Sequence, residues 1–208
     1  MNQIIFNKKQ NKKKLYIFKL QLLFSIITLV SLIMYICMSY KEDKKLENIS
    51  KIIDKNVNLT LMYKTNQLYN YETYLGKILI EKIQLEYTVF NNYNESLLKI
   101  SPCKFYGTSI GEKGNICIAA HNYNDNRFFG RIDELECKDI IKLINLEEKE
   151  YEYIIYDIFE IEENDISILK ANKNYELTLL TCNNSNKKRI IVKAYMKEYW
   201  KKLSLVVK

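Results

Sequence analysis

The sequence predicts a mainly β domain, closed or nearly closed into a barrel with short helices, set behind an N-terminal transmembrane helix and a helical stalk. Three observations predict it. An uncharged apolar stretch runs from Leu20 to Tyr40, apolar positions recur at helical spacing from Leu46 to Leu61, and seven short β-rich runs lie between residues 77 and 199, separated by Asn- and Gly-containing turns. The 208 residues are 48% apolar and 12% aromatic, too rich for a disordered chain, and one Pro with five Gly excludes collagen-like and Pro-rich classes. Such a length is one domain with appendages.

The formal charge of +7 raises nucleic acid or an acidic membrane surface as a partner until its position is considered. The first 40 residues hold Lys8, Lys9, Lys12, Lys13, Lys14 and Lys19 and no acid; the remaining 168 carry 26 bases and 25 acids, a net +1. The outer part is therefore nearly neutral, and no nucleic-acid partner is expected. Residues 1–14 read as a cytoplasmic basic tail and 15–40 as a transmembrane signal anchor. Leu20–Tyr40 has 21 residues without acid, base, Gly or Pro, and a helix of that length spans ~30 Å, about the hydrocarbon thickness of a bilayer. Five lysines precede it between positions 8 and 14 and the mixed KEDKK at 41–45 follows. This asymmetry predicts a single-pass protein of the cell membrane, its N-terminus cytoplasmic and its domain extracellular. A cleaved signal peptide shares the basic start, but the stretch is long and no A-x-A-like site closes it. Lipidation at Cys37 is disfavoured by the bulky Ile36 before it.

Residues 41–75 carry Leu46, Ile49, Ile53, Val57 and Leu61 three or four apart with charges between them, the period of a stalk helix. A spacer is the expected role rather than a functional lid. After Gly76 the β-rich runs are KILIEKI at 77–83, EYTVF at 86–90, NICIAAH at 115–121, DIIKLINL at 139–146, YEYIIYDIFEI at 151–161, YELTLLTC at 175–182 and RIIVKAYMKEY at 189–199. Helical pieces are expected near Glu95–Ile100 and Phe128–Leu135. One unit over 76–200 with a tail at 201–208 follows. Cys103, Cys117, Cys137 and Cys182 are widely spaced singletons, which is no disulfide framework and leaves a single bridge among the first three open.

His121 is the only histidine, so any imidazole chemistry uses it. It ends an apolar strand and opens the polar loop NYNDNR; the competing reading is a satisfied histidine at a strand end. Cys182 ends TLLTC beside a turn with Lys187, Lys188 and Arg189 near in sequence, cations that favour a thiolate; an inert buried thiol is the alternative. Two strands joined by a short loop bring Cys182 and Arg189 together, and His121 joins them if its strand is adjacent. Cys117 and His121 have a C-x3-H spacing, but four residues on an extended strand are ~13 Å apart, too far for one zinc ion. Asn122, Asn124 and Asn126 alternate like the start of a calcium loop, yet Arg127 stands where Gly is needed and Asp133 replaces the closing Glu. No metal and no cofactor is expected.

TLLTC fits the T-L-x-T-C signature of sortases, the cysteine transpeptidases of Gram-positive cell surfaces, and the chain resembles that family further in GNICIAAHN some sixty residues upstream and in Arg189 opening the next strand. YLGKILIEKIQLEYTVF resembles the family's first strands and FFGRIDELECKDIIKL its short helix and strand after the histidine. The resemblance covers roughly 75–200 and implies a closed eight-stranded sortase-type β-barrel. It implies that Cys182 attacks an LPxTG-like C-terminal sorting signal between Thr and Gly, that His121 moves the protons, and that Arg189 holds the substrate and its oxyanion. Asn122 and Thr181 are the expected substrate-binding neighbours. The implied partners are secreted proteins bearing that signal and a cell-wall peptide or lipid-precursor amine. Ala120 stands where many members have Gly, and the Cys182–Arg189 loop is short. A long helical insertion before 175–182 is lacking, unlike class B; a second apolar span and an Asp-Pro-aromatic lid are lacking, unlike class C. The lean is class D-like or class A-like. The rivals are a non-catalytic membrane-anchored binding protein with the same barrel and a peptidase that only hydrolyses the signal.

Overall fold

A computed structural model describes residues 2–63, 73–169, 174–183 and 187–198. The chain divides at Asn48/Ile49 into two compact units. Helix α1, Asn2–Tyr63, forms the first unit and continues past the division. Every side chain from Tyr16 to Lys45 is exposed, and Tyr16–Ile53 is the one segment among the described residues long and apolar enough to cross a membrane. Three of its hydroxyls are satisfied within the helix. Ser25, Thr28 and Ser31 donate to the carbonyls of Leu22, Ser25 and Thr28 at 2.9, 2.8 and 2.8 Å, so none needs water as a partner.

The second unit is a closed barrel of eight strands: β1 Tyr74–Ile80, β2 Leu85–Phe90, β3 Cys103–Gly107, β4 Gly114–Ala119, β5 Ile140–Asn145, β6 Glu150–Glu162, β7 Tyr175–Cys182 and β8 Lys188–Met196. They run around it as β1-β2-β3-β4-β7-β8-β6-β5, and β5 pairs back onto β1. Two contacts are parallel, β2 with β3 and β4 with β7; the others are antiparallel. Closure leaves no open sheet edge. Helix α2, Glu95–Leu98, links β2 to β3, starting where the Asn94 side chain accepts from the Leu97 amide at 2.8 Å.

Seven of the strands fall where the β-rich runs are, with differences that have local causes. The run at 77–83 stops being a strand at Ile80: Glu81–Ile83 is a 3-10 turn closed by Gln84 in the left-handed region, φ 53°. The strand carrying His121 ends at Ala119, so the histidine lies two residues into the connection. The expected helix near Phe128–Leu135 is only a 3-10 turn, Ile132–Glu134, because Phe128 itself takes a positive φ of 52°. β1 begins at Tyr74, inside the range assigned to the stalk; α1 covers 41–63, and 64–72 and the 201–208 tail lie outside the described residues. β3 has no counterpart in the sequence reading. Only Cys103 of its five residues is buried, and a bulge between Lys104 and Tyr106 breaks the alternation that marks a strand. Gly107 ends it at φ +100°, where a Cβ would stand 1.7 Å from the Asn115 carbonyl oxygen.

Alternation along three neighbouring strands builds two cores. Ile116, Ile118 and Ala120, with Leu177, Leu179, Val192 and Ala194, fill the barrel. The alternate residues Cys117, Ala119, Leu180 and Ile191 point the other way, into a second cluster with Phe90, Leu98, Ile161 and Ile168, against which Ile53 of α1 also packs. The largest interior side chains are fully buried, each contributing about 1.5–3 kcal/mol.

The outer face also holds a sealed polar network. Lys193 Nζ lies 3.3 Å from Glu176 Oε1 with the side chains 11% and 4% exposed, Tyr156 donates its hydroxyl to the same carboxylate, and Thr178 donates to Asn115 Oδ1 at 2.8 Å. Burial, then the Glu176 carboxylate, raises the Tyr156 hydroxyl above its ordinary value. Glu176→Gln leaves Lys193 buried without its counter-charge and is expected to cost about 3 kcal/mol in urea unfolding of the detergent-solubilised chain. The double variant Glu176→Leu/Lys193→Met is expected to recover most of that loss.

Candidate active site

The parallel ladder between β4 and β7 runs from Gly114↔Tyr175 to Ala119↔Leu180. His121 and Cys182 each stand two residues beyond that last pair, on strands ~4.8 Å apart. Two side chains lock the end of the ladder where its backbone bonds run out. Thr181 Oγ1 donates to the Ala120 carbonyl at 2.7 Å, and Asn122 Nδ2 donates to the Cys182 carbonyl at 2.9 Å. On the other side of β7, Cys182 faces Arg189 across the antiparallel β7–β8 pair, which continues as Asn183 N–H donates to Lys188 O at 2.7 Å. Because Cys117, Ala119 and His121, then Leu180 and Cys182, then Arg189 and Ile191 share one face of the pleat, the imidazole, thiol and guanidinium emerge on the same outer side of the barrel.

The loop after His121 is built to hold it. Phe129 N–H donates to the His121 carbonyl at 3.0 Å, and Phe128 and Phe129 are buried in the barrel core. Tyr123 bridges the two: its ring lies 5.2 Å from the imidazole and 5.6 Å from Phe128, with the Arg127 guanidinium 4.3 Å over it. Asp125 fixes Arg127 by a 2.8 Å ion pair.

His121, Cys182 and Arg189 line a cavity of about 250 Å³ floored by Ala119 and Leu180. Its opposite wall comes from the β2–β3 connection: Tyr93, Glu95, Leu98 and Lys99, backed by Phe105 of β3. Tyr93 and Phe105 meet edge to face at 5.0 Å. Burial, and second the charge of Lys99, hold the His121 pKa below the usual imidazole value, so the neutral ring predominates at neutral pH.

The five cysteines are free thiols, and their environments differ. Cys103 and Cys117 are buried, and burial pushes each up to about 12, which keeps them protonated and inert. Cys137 is exposed and donates weakly to the Tyr156 carbonyl. Cys182 is the thiol that is both exposed and set in the cavity beside an imidazole and a guanidinium. Asn122 and Thr181 reach the site differently from open substrate contacts: the amide of Asn122 is bonded to the Cys182 carbonyl, and Thr181 is 3% exposed with its hydroxyl turned to Ala120. Among the described residues no three His, Cys, Asp or Glu side chains are grouped to hold a metal. The wall residues Tyr93, Glu95, Lys99 and Phe105 were not found by sequence reading; only the placement of β3 between β2 and β4 brings them opposite the thiol.

Residues 78–197 match the family model described as Sortase domain. The chain is 27% identical over 125 residues to Sortase A of Listeria monocytogenes, an alignment covering 60% of this chain and 56% of that relative, so the chain spans just over half the relative's length. A solved structure of a Clostridium perfringens Sortase D5 transpeptidase superposes with a TM-score of 0.55 at 30% identity, covering 74% of this chain and 97% of that one. A Clostridium perfringens sortase C, solved with the C-terminal cell wall sorting motif, gives 0.55 at 27% identity over 74% and 90%. With the family model matched across nearly the whole barrel and the sortase folds superposing on it, this chain belongs to the sortase family.

Proposed function

We propose that the protein is a membrane-anchored cysteine transpeptidase that cleaves an LPxTG-like sorting signal between Thr and Gly and joins the freed carbonyl to a cell-wall amine. One observation carries the reading: the exposed thiol of Cys182, the half-buried imidazole of His121 and the guanidinium of Arg189 meet at one cavity, on adjacent strands whose register holds them there. Family membership and the Clostridium perfringens sortase C solved with the C-terminal cell wall sorting motif support the substrate class. The apolar helix supports attachment to a membrane, with the lysine-rich end cytoplasmic and the barrel outside.

In the first half-reaction the Cys182 sulfur attacks the threonine carbonyl carbon. The thiol proton passes to His121 as the C–S bond forms, and the carbon–nitrogen bond to glycine breaks as His121 hands that proton to the leaving amine. In the second, an amine attacks the thioester carbonyl, loses its proton to His121, and the thiolate leaves. Arg189 acts in both tetrahedral intermediates: its fixed cation and forked donors stabilise an oxyanion that is absent from the ground state, so its effect falls on the rate. Asn122 and Thr181 serve as positioning residues, because each ties the backbone of one reacting residue's strand to the other's. Cys103 and Cys117 take no part, being sealed in the outer core.

Mass spectrometry of the full chain in detergent, incubated with a small library of LPxTG-like peptides, tests the reading. A thioacyl adduct is expected on Cys182 and is lost in Cys182→Ala; processing that survives in Cys182→Ala would show the nucleophile to be misassigned. Arg189→Met is expected to lower kcat by about 10²–10³ while the chain keeps its unfolding midpoint.

The acid limb of the kcat/KM profile is expected below the ordinary imidazole value of about 6.5, because burial and Lys99 both disfavour the imidazolium. Removing a cation stabilises imidazolium, so Lys99→Met is expected to move that limb to higher pH, toward the ordinary value. A limb that stays in place in Lys99→Met would show that this charge does not act on the reacting histidine.

A further inference from the structure

The second half-reaction brings a primary amine to the thioester, and in water at neutral pH such an amine is a cation, with a lysine-type value of about 10.4. The cavity it must enter is already lined by two cations, Lys99 and Arg189. Among the described residues one acid lines that cavity, Glu95. Glu95 and Lys99 are one turn apart on the α2 wall, where the Lys99 amide donates to the Glu95 carbonyl, and the wall is fixed by the Asn94 cap and by Leu98 in the outer core. Among the described residues the Glu95 carboxylate has no hydrogen bond and no ion pair, not even with Lys99. It is therefore an exposed negative charge on a fixed stretch of backbone, without a hydrogen-bond or ion-pair partner among the described residues, lining the same cavity as the thiol and the imidazole.

We infer that Glu95 is a specificity residue for the second substrate, receiving the ammonium group of the incoming amine and raising its local concentration against water. The inference rests on the thioacyl chemistry proposed above and names the group in this chain that selects an amine over water. The ammonium docks on the carboxylate and gives one proton to the neutral imidazole of His121, which frees its nitrogen to bond to the thioester carbon; as the carbon–sulfur bond breaks, the nitrogen's second proton goes to the departing sulfur, which leaves as the thiol. Glu95 itself gains and loses no proton. Its contribution is attraction, opposite in sign to that of the neighbouring Lys99 and Arg189 charges.

The test separates charge from structure by comparing a cationic nucleophile with a neutral one. The full chain in detergent is acylated with an LPQTG peptide and offered either Nα-acetyl-lysine amide, whose ε-amine is protonated, or hydroxylamine, which is uncharged at neutral pH. Mass spectrometry reads the ratio of amine adduct, or of hydroxamate, to hydrolysed peptide, so that differences in acylation cancel. In Glu95→Gln the lysine-amine ratio is expected to fall about three- to fivefold, the scale of one partly exposed charge pair, with the hydroxamate ratio held. An unchanged lysine-amine ratio overturns the inference, and so does an equal fall in both ratios, which marks a structural defect. A loss confined to acylation also overturns it, since Glu95 would then read the sorting peptide. If the unaltered chain gives neither product nor hydrolysis, the transpeptidase reading fails and this inference with it, an outcome distinct from the others.

Discussion

The parallel pairing of β4 with β7 is the constraint on which the site depends. Parallel neighbours cannot be joined by a tight turn, and here β5 and β6 intervene in the chain before β7 comes to lie beside β4. The pairing thus closes a long loop of sequence and sets residues about sixty apart side by side. Its six Cα pairs bring the chain's one histidine and its cavity thiol to the same height. The antiparallel β7–β8 pair then brings the guanidinium beside the thiol. The ladder needs reinforcement where it matters most, since its last backbone bond, Ala120 N–H to Leu180 O, is 3.2 Å long. Thr181 and Asn122 supply it with one bond in each direction across the two strands.

Beneath the reactive groups the same face changes character in layers. An apolar cluster containing Ala119, Leu180 and Ile191 lies under the cavity, and the Lys193–Glu176 pair with Tyr156 lies further along the strands. The apolar layer excludes water from the floor, which strengthens electrostatic effects above it. It also accounts for the depressed basicity of His121, whose first cause is burial. A histidine so placed stays a base at neutral pH and becomes an acid only when the reaction supplies it with a proton. The buried ion pair adds little net stability and imposes register, since sliding β7 past β8 would separate the two charges in a dry interior.

Much of the architecture was legible in the chain because it rests on local patterns. The apolar helix, the stalk periodicity through residue 63 and seven strands follow from runs of side chains that sequence displays directly. Cys182, His121 and Arg189 stood out because each lies at the end or start of a β-rich run and because histidine and arginine are scarce here. β3 did not, as its bulge erases the two-residue period and only one of its side chains is buried. With β3 unseen, the wall carrying Tyr93, Glu95 and Lys99 had no place in the site. The side chains of Asn122 and Thr181 were expected at the substrate; their hydrogen bonds to carbonyls on the facing strand depend on a parallel register that spacing alone does not reveal.

The sharing of one pleated face by His121, Cys182 and Arg189 has a consequence for how such a chain can change in length. A single residue inserted into β4, β7 or β8 would turn every side chain beyond it through the sheet, sending a reactive group into the barrel and a core aliphatic into the groove. Insertions of one are therefore confined to the connections, or must be absorbed by a bulge of the kind β3 and β6 already contain. Within the three site-bearing strands, length is free to vary only by twos, so related chains should differ in their loops while these strands keep the parity of their residue counts.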